Sequence, residues 1–357
     1  MMFLLNNSKF TIKHLNQKLI AIFILIIVLF IKKKKKIGVI GLRHEVNIGN
    51  NLLKYAIFIK LSELGFEPYI IGTHWKNYSI SFLKKNTNCR IINKNFSEIK
   101  EKDYDILMVN SDQTWKKFDE HFLDYGFLKF AKNWKKPKFI YGASLGHNKW
   151  TISKEDENII KDLLRNFSGI SVREKGSINL IENHLGFRPI FVLDPTLLID
   201  KKYYLDLIYF YKSKTKFPKN FILTYIIKKE NNTTRYIEIA SKKLKYKIVN
   251  VNMTEQNSIE KFIYGISLCK AVITNSFHGT IFSIIFKKPF VSFIFKRSPK
   301  ERLISLKKTF KIENRIFEYN KMPNVDLLTK PLTINYTLID NLKLQSINYL
   351  KKNLRIK

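Results

Sequence analysis

Cysteine is nearly absent from this sequence, and histidine is sparse. Two cysteines, Cys89 and Cys269, and seven histidines occur among 357 residues. Two thiols are too few for a disulfide framework, and no histidine pair has the spacing of metal ligands, so we expect no metal site. Free cysteines of this kind are typical of small apolar core residues in a reducing compartment.

Acidic residues are also scarce. The chain has 29 Asp and Glu against 64 Lys and Arg, a formal net charge of +35. Such a charge is compatible with contact to nucleic acid or to an anionic membrane. The basic residues are scattered and mostly lysine, however, and no aromatic-interleaved basic motif is present. We therefore predict no nucleic-acid partner.

Long apolar runs are missing, with one exception near the N-terminus. The run LIAIFILIIVLFI (Leu19–Ile31) is followed by five lysines, Lys32–Lys36. As a helix it would span about 20 Å, less than the roughly 30 Å of a bilayer core, although lysines at both ends extend its reach. Two interpretations stay open: residues 1–36 anchor a cytoplasmic protein to the inner face of the membrane, or they are a translated segment ahead of a domain that starts near Ile37. A signal peptide is disfavoured, because no small-residue cleavage site follows.

Apolar residues, in contrast, make up 45% of the chain and include 28 Phe. This composition excludes a disordered chain, and the length allows two domains. From Ile37 onward, short apolar runs alternate with helical stretches, which is the pattern of parallel strands covered on both faces. We predict an α/β fold of two Rossmann-like, doubly wound domains that face a cleft.

The predicted organisation has five parts. An apolar, lysine-rich extension covers residues 1–36, and a lysine-rich linker joins the two domains. The predicted bounds are 37–202 for the first domain, 203–219 for the linker, 220–330 for the second domain and 331–357 for a C-terminal helix that could pack on either half. The predicted strands are IGVIGL, PYIIG, DILMVN, KFIYGASLG, GISVRE and PIFVLDPTLLI in the first domain, and FILTYII, YKIVNVN, AVIT and FVSFIF in the second.

Ligands of such folds bind beyond the carboxyl ends of the strands, where five loops carry polar residues. The loop NIGN contains Asn47, Gly49 and Asn50 ahead of a helix. Its glycine permits close approach of the backbone, and free N–H groups at the helix N-terminus suit an anion. An ordinary turn is the alternative, because Asn and Gly are common turn residues.

The second loop, NSDQTW, directly follows a predicted strand. Asp112 and Gln113 can exchange hydrogen bonds with a polyol, and Trp115 offers an apolar face to a sugar ring. A helix cap with a core tryptophan explains the same residues equally well.

Two further loops, GASLGH and SVRE, follow the next strands. Small residues in the first would let the backbone line a cleft. In the second, Arg173 presents a planar fork that suits a carboxylate or phosphate. The alternative for Arg173 is a surface pair with Glu174, which would contribute little.

The fifth loop lies in AVITNSFHGTIFSIIFKKPFV, where a strand turns into a helix. Asn275 and Ser276 end the strand, so His278 and Gly279 fall in the first helical turn, where the helix dipole favours an anion. An imidazole there can bond a phosphate oxygen or deliver a proton. A structural histidine is the alternative.

Taken together, these loops resemble those of the polysaccharide pyruvyl transferase family. NIGNNLLKYA, YDILMVNSDQTW, FIYGASLG, SVRE, LDPTLLI and ITNSFHGTIFSIIFKKPFV occur in the family's order between residues 37 and 317. The resemblance implies a GT-B-like fold without a cofactor. It also implies phosphoenolpyruvate as pyruvyl donor, a saccharide or lipid-linked saccharide as acceptor, a pyruvate ketal of a cell-surface polysaccharide as product, and release of phosphate.

The resemblance also implies roles for individual residues. His278 matches the family histidine and would be general acid or phosphate ligand, while Arg173 matches the arginine that grips the donor. Arg302, in KERLISL, resembles another family arginine, and Asp112 would bind the acceptor or transfer a proton. The full candidate donor site is Arg173, Asn275, Ser276, Gly279 and Arg302, and the candidate cleft loops contribute Asn47, Gly49, Asn50, Gln113 and Trp115.

One position departs from the family pattern. Some members carry an arginine two residues before the histidine, where this chain has Ser276. Lys287, Arg297 or Arg302 would then have to supply the missing positive charge.

Two other functions remain open from the sequence. A GT-B glycosyltransferase would hold the diphosphate of a nucleotide sugar at the same helix N-terminus. A non-catalytic scaffold in a glycan pathway would explain Ser276 and the apolar N-terminus, although the presence of His278, Arg173 and Asp112 together disfavours it.

Overall fold

Among the residues that the computed structural model describes, twelve β-strands, all paired in parallel, form two sheets. The structure describes residues 34–41, 47–73, 77–212, 215–252, 258–296 and 300–356. Residues 36–357 form one compact unit. Continuous apolar runs such as Ile106–Val109 produce this architecture, because strands with both faces covered need apolar side chains on both.

The first sheet contains seven strands and is wound in both directions from its centre. Its strands are β1 (Lys36–Ile40), β2 (Glu67–Gly72), β3 (Arg90–Asn93), β4 (Ile106–Val109), β5 (Lys138–Ala143), β6 (Gly169–Val172) and β7 (Ile190–Phe191). Their order is β3-β2-β1-β4-β5-β6-β7, so the winding direction reverses between β1 and β4. Ligands of doubly wound folds bind at such a reversal.

The second sheet contains five strands. They are β8 (Phe221–Tyr225), β9 (Lys247–Asn250), β10 (Ala271–Thr274), β11 (Phe290–Ile294) and β12 (Ile316–Glu318). Their order is β12-β11-β10-β8-β9, which places the reversal between β8 and β10. The predicted architecture of parallel α/β sheets is confirmed.

The α-helices of the described residues connect these strands. They are α1 (Ile48–Glu63), α2 (Asn77–Asn86), α3 (Phe122–Phe127), α4 (Lys154–Leu164), α5 (Ser177–Leu185), α6 (Lys201–Asp206), α7 (Asn231–Leu244), α8 (Ser258–Leu268), α9 (Phe277–Ile285), α10 (Lys300–Phe310) and α11 (Tyr336–Asn353). None of these helices is both long enough and apolar enough to cross a membrane. The apolar run at residues 19–31 lies outside the described residues.

Helix α1 links the two halves of the molecule. Nearly all of its side chains are buried, including Leu52 and Ile57. It packs against α8 and against a short 3-10 turn, Pro195–Leu197, which in turn contacts α9. One buried apolar cluster therefore extends from the first sheet through α1 to the helices of the second half, and this shared core holds the loops of the two halves against each other.

The C-terminal helix α11 packs on the first half, which answers a question that the sequence left open. The Tyr349 hydroxyl donates a 2.7 Å hydrogen bond to the carbonyl of Ile140 in β5. The backbone N–H of Leu193 donates to the Ser346 hydroxyl at 2.9 Å. The chain thus returns to the first sheet after completing the second.

Three details differ from the strands that the sequence predicts. Strands β3 and β12 were missed, and both are short strands at sheet edges. The segment PIFVLDPTLLI is a strand only over Ile190–Phe191. It then turns because the Asp194 carboxylate caps the following 3-10 turn by accepting from the Thr196 N–H.

Candidate functional site

The candidate site forms where loops from both halves meet beyond the carboxyl ends of the strands. Residues 110–112 follow β4, Arg173 follows β6, and Asp194 lies just beyond β7. From the second half, His278 lies in the first turn of α9, directly after β10. Both sheets reverse their winding beside these loops, as expected for a ligand site.

Gly49 and His278 bring the two helix N-termini into direct contact. A Cβ atom on Gly49 would lie 2.0 Å from Nδ1 and 2.8 Å from Cβ of His278. Real Cβ atoms do not approach other atoms this closely, so any side chain at this position would displace the imidazole. The glycine of NIGN thus serves the close approach of α1 to α9.

The N-termini of both helices are capped by their own chain. The Asn47 side chain accepts from the N–H of Gly49 at 2.8 Å and of Asn50 at 3.3 Å. The Ser276 hydroxyl accepts from the N–H of Gly279 at 3.2 Å. Asn47 and Ser276 are therefore helix caps, and the N–H groups of Gly49, Asn50 and Gly279 are already occupied, contrary to the expectation of open N–H groups in NIGN.

Arg173 is the centre of a buried charge cluster. Its guanidinium donates to Asp194 at 2.6 Å, to Asp112 at 2.8 Å and to Glu174 at 3.2 Å. Burial disfavours its charge, but the three carboxylates outweigh burial and raise the pKa of Arg173. The grip of Arg173 on a donor stays a prediction, and in the structure its fork holds three carboxylates of the protein.

Asp194 joins Arg173 to His278. Its Oδ2 atom lies 3.8 Å from Nε2 of His278, which is an ion-pair contact and too long for a hydrogen bond. Its Oδ1 atom accepts from the N–H and the hydroxyl of Thr196. Burial alone would raise the pKa of Asp194, but His278, Arg173 and Thr196 hold it well below its usual range. Asp194 is thus an anion beside the imidazole.

One ring nitrogen of His278, Nε2, makes no hydrogen bond within the described residues. This nitrogen is buried. Buried polar atoms without partners are uncommon and call for an explanation. This atom lies 3.8 Å from Asp194, a residue that lines the cleft beside it, so a ligand that reaches past Asp194 would satisfy it.

Arg302 is the cation best placed to hold an anionic ligand. Its Nε is buried without a hydrogen-bond partner among the described residues, and its Nη1 lies 3.9 Å from Asp112. Its guanidinium lies 5.4 Å from the centre of the Phe277 ring, and that of Arg173 lies 4.8 Å from the same ring. Burial, reinforced by the nearby Arg173 charge, lowers the pKa of Arg302. A bound anion would offset that cost.

A cleft of about 300 Å³ opens between the halves at this point. Its polar wall consists of Arg173, Asp194, Arg302, Ser305 and Thr309, and its apolar wall includes Phe277 and Leu197. The guanidinium groups in this wall suit an anionic ligand.

A second, smaller cavity of about 200 Å³ lies on the other side of Asp112. Lys54 of α1 lines it together with Asn50, Asn110 and Ser111. Burial lowers the pKa of Lys54 to about 8, and the Asp112 carboxylate opposes this effect. Asp112 therefore lies between Arg173 on one side and a cavity with a buried lysine on the other.

Asp112 also has an unusual backbone conformation. Its φ is 104°, a backbone angle that residues other than glycine rarely adopt. The carbonyl of this residue accepts from the N–H groups of Ser144 and Thr114, which hold the conformation in place. Strain of this kind costs about 1–3 kcal/mol and clusters at functional sites.

Glu174 completes the charge balance. Its side chain is buried, and burial raises its pKa although Arg173 opposes the shift. The cluster thus contains the carboxyl groups of Asp112, Glu174 and Asp194 and the cations Lys54, Arg173 and Arg302. When all six are ionised their charges cancel, so protonation of Glu174 would leave the site positive and suited to an anion.

Several predicted site residues have structural roles. Trp115 is 1% exposed, and its indole N–H donates to the carbonyl of Gly126, so a sugar-stacking role is not supported and the core interpretation is correct. Asn275 holds the loop after β8 through the N–H of Ile227 and the carbonyl of Lys228. Gly279 packs on Thr274, where a Cβ atom would lie 2.3 Å from the hydroxyl. Gln113 is partly buried beside Gly146.

The three cations considered as replacements at Ser276 lie in different places. Arg302 lines the cleft. Lys287 lies beyond the C-terminal end of α9, with its ammonium 4.6 Å from the centre of the Tyr336 ring. Arg297 lies outside the described residues.

Sequence reasoning missed Asp194, Lys54 and Glu174 as site residues. Each lies within a motif that carried the resemblance, namely LDPTLLI, NIGNNLLKYA and SVRE. The sequence signal that could have identified these three residues is a charged residue in a segment that is otherwise apolar or that caps a helix. Asp194 and Lys54 carry charges in stretches whose neighbours are almost all buried.

Comparison with known proteins identifies the family. The family model described as polysaccharide pyruvyl transferase matches residues 47–296, which is more than half of the chain and contains Lys54, Asp112, Arg173, Asp194 and His278, but not Arg302. The chain therefore belongs to the polysaccharide pyruvyl transferase family and is a transferase. No curated protein matches the chain.

Solved structures show the same fold at low sequence identity. A Listeria monocytogenes protein described as a UDP-N-acetylglucosamine 2-epimerase is similar with a TM-score of 0.52 and 12% identity, over 91% of this chain and 98% of the other. UDP-GlcNAc 2-epimerase from Methanocaldococcus jannaschii has a TM-score of 0.50 and 14% identity, over 82% and 90%. Arabidopsis thaliana UGT89C1 complexed with UDP-L-rhamnose has a TM-score of 0.50 and 10% identity, over 89% and 98%. The GT-B-like fold is confirmed.

Proposed function

We propose that the protein transfers pyruvate from phosphoenolpyruvate to two hydroxyls of a sugar in a cell-surface polysaccharide or its lipid-linked precursor. C3 of the donor gains a proton, C2 forms bonds to two sugar oxygens, and the C2–O bond to phosphate breaks. The two hydroxyls release two protons, of which one ends on C3 and the other on the departing phosphate. The product is a pyruvate ketal, and no oxidant or reductant takes part.

The observation that carries this proposal is the buried Nε2 of His278, which has no hydrogen-bond partner among the described residues and lies beside Asp194, a residue that lines a cleft together with Arg302. A donor with a carboxylate and a phosphate needs cationic and hydrogen-bonding partners for both groups. Arg302 would bind one anionic group, and the imidazole would bond a phosphate oxygen or deliver the proton to C3. This assignment moves the donor grip from Arg173 to Arg302.

Asp112 supports the other half of the reaction. Its carboxylate lies between the cleft and the cavity of Lys54. A sugar hydroxyl that enters from this side would meet a carboxylate able to accept its proton. Lys54, whose pKa is lowered to about 8 by burial, is a cation at pH 7 and would stabilise the charge of Asp112.

Calorimetric titration of the full-length protein with phosphoenolpyruvate tests the donor. We expect saturable binding that is lost in His278→Ala and weakened in Arg302→Ala, and retained in His121→Ala, which removes a partly exposed histidine at α3. Saturable binding of a UDP-sugar without binding of phosphoenolpyruvate would reassign the protein to the nucleotide-sugar enzymes. Turnover is then followed as phosphate release in the presence of candidate acceptors.

The cellular location is part of the proposal. Phosphoenolpyruvate and lipid-linked saccharide precursors would meet at the cytoplasmic face of the membrane, and the two free, buried cysteines suit a reducing compartment. Membrane attachment through residues 19–36 stays a prediction.

A further inference from the structure

Tyr209 and Phe210 form an exposed aromatic pair in the segment after α6. Their side chains are 72% and 78% exposed and are the two most exposed large apolar side chains among the described residues. The rings meet edge-to-face with centroids 5.1 Å apart. Adjacent exposed aromatic side chains form an apolar surface patch, and such patches mark interaction sites.

The pair projects from a firmly packed base. On its N-terminal side, Ile208 is fully buried in the core. On its C-terminal side, Tyr211 packs edge-on against Tyr264 of α8, with centroids 6.1 Å apart. The anchored residues on both sides therefore hold Tyr209 and Phe210 outward.

The chain segment that carries this pair is rich in exposed cations. Lysines outnumber acids in the segment 200–220, which contains six lysines and two aspartates. One of the two, Asp200, already pairs with Lys343 at 2.8 Å. The exposed lysines of the described part of the segment are Lys201, Lys202, Lys212, Lys216 and Lys219.

We infer that Tyr209 and Phe210 contact an anionic lipid bilayer. Tyrosine and phenylalanine are suited to the membrane interface, and clustered lysines are attracted to anionic headgroups. A second copy of this strongly basic chain fits less well, because the charges of the two copies would repel each other. The surface belongs to the described fold and is distinct from residues 19–36.

A local fluorescent probe tests this contact in the full-length protein. Tyr209→Cys is labelled with an environment-sensitive dye, which is selective because the native Cys89 and Cys269 are buried. On vesicles of equal parts phosphatidylglycerol and phosphatidylcholine, we expect a blue shift and increased intensity. We expect no change on pure phosphatidylcholine, and none with the same dye on Leu344→Cys, an exposed position in α11.

Adding Phe210→Ser to the labelled protein separates the pair from other membrane contacts. The variant lacks the phenyl ring that would be buried in the bilayer. The vesicle concentration that gives half of the maximal fluorescence change should therefore rise about tenfold or more. An unchanged spectrum on anionic vesicles would overturn the inference, even if residues 19–36 bring the protein to the vesicle. A spectrum that changes with protein concentration in the absence of lipid would also overturn it and would assign the pair to self-association.

Discussion

The backbone of Gly49 lies against the imidazole of His278, so closely that a Cβ atom on Gly49 would lie 2.0 Å from Nδ1. This contact joins the first turn of α1 in one half to the first turn of α9 in the other. The position of the imidazole therefore depends on the packing of the two halves and on the absence of a side chain at residue 49.

Gly49→Ala is expected to displace His278 while leaving the fold intact. A shift of about 1 Å at a catalytic group can lower turnover about 100-fold. We therefore expect phosphate release to fall by about that factor, and the overpacked contact to cost about 1–3 kcal/mol of stability in urea unfolding. Gly176→Ala is the matched control, because a Cβ there meets only the flexible end of Glu301. Near-normal turnover in Gly49→Ala would contradict the role of this contact.

The two arginines of the cleft should differ in what they support. Arg173→Ala leaves Asp112, Glu174 and Asp194 buried without their shared cation, and breaking a buried pair in this way costs about 3–5 kcal/mol. Arg302→Ala removes a guanidinium whose Nε has no hydrogen-bond partner among the described residues. The variant should therefore bind phosphoenolpyruvate more weakly and have nearly unchanged stability.

Urea unfolding and phosphoenolpyruvate titration of both variants distinguish these roles. If Arg173→Ala were stable and only failed to bind the donor, Arg173 would be the donor grip that the family resemblance implies. If Arg302→Ala bound the donor normally, the assignment of Arg302 would be wrong.

Asp194→Asn removes the anion beside His278. Because the pKa of Asp194 is lowered in the folded protein, its stabilising effect is present above the unfolded pKa of about 3.9 and is lost as the pH falls through the folded value. The variant should therefore lose stability at pH 7, by about 3–5 kcal/mol for a broken buried pair, and show a weaker loss of stability on acidification.

Its effect on catalysis is measured as a pH–rate profile, and a profile that matches the wild type would exclude a role of Asp194 in setting the charge of His278. Thr196→Val is the control. It removes one hydrogen bond to Asp194 but keeps the carboxylate, and should cost only about 1 kcal/mol.

Lys54→Met should stabilise the protein and impair its function. Burial lowers the pKa of Lys54 to about 8 from 10.5, so the ammonium costs about 3 kcal/mol at pH 7. The unfolded chain holds this proton up to higher pH, so the wild type gains stability as the pH rises from about 8 to 10.5. Methionine removes both the cost and this pH dependence.

Urea unfolding at pH 7 and at pH 9.5 measures this effect. Lys60→Met, at the other end of the same helix, is the control, because Lys60 pairs with Glu63 and should give no gain. A Lys54→Met protein less stable than the wild type at pH 7 would show that the buried ammonium stabilises the fold.

Asp112→Asn should separate donor binding from turnover. Asparagine tolerates positive φ and can still accept the hydrogen bond of Arg173, so the fold should persist. If the carboxylate takes the proton of the acceptor hydroxyl, turnover should fall about 100-fold or more while phosphoenolpyruvate still binds. Single-turnover phosphate release and calorimetry measure the two effects. Asp112→Asn with full turnover would exclude the carboxylate as a base.

The sequence by itself determined the class of fold and the loops that form the site. The alternation of apolar runs with helical stretches predicts two parallel sheets, because strands covered on both faces need apolar side chains throughout. Strands β3 and β12 escaped this pattern since they lie at sheet edges, where fewer of their residues are buried. Loops such as NSFHG were visible because polar residues interrupt apolar runs at strand ends.

Only the tertiary structure decided what each residue in those loops does. Arg173 binds Asp112 and Asp194, which lie 61 and 21 residues away in the chain, so no local pattern shows that its fork is occupied. Trp115 is equally suited to a sugar or to a core until its burial is known. The role of a charged group depends on the charges and the solvent around it, and the packing of two distant loops sets both.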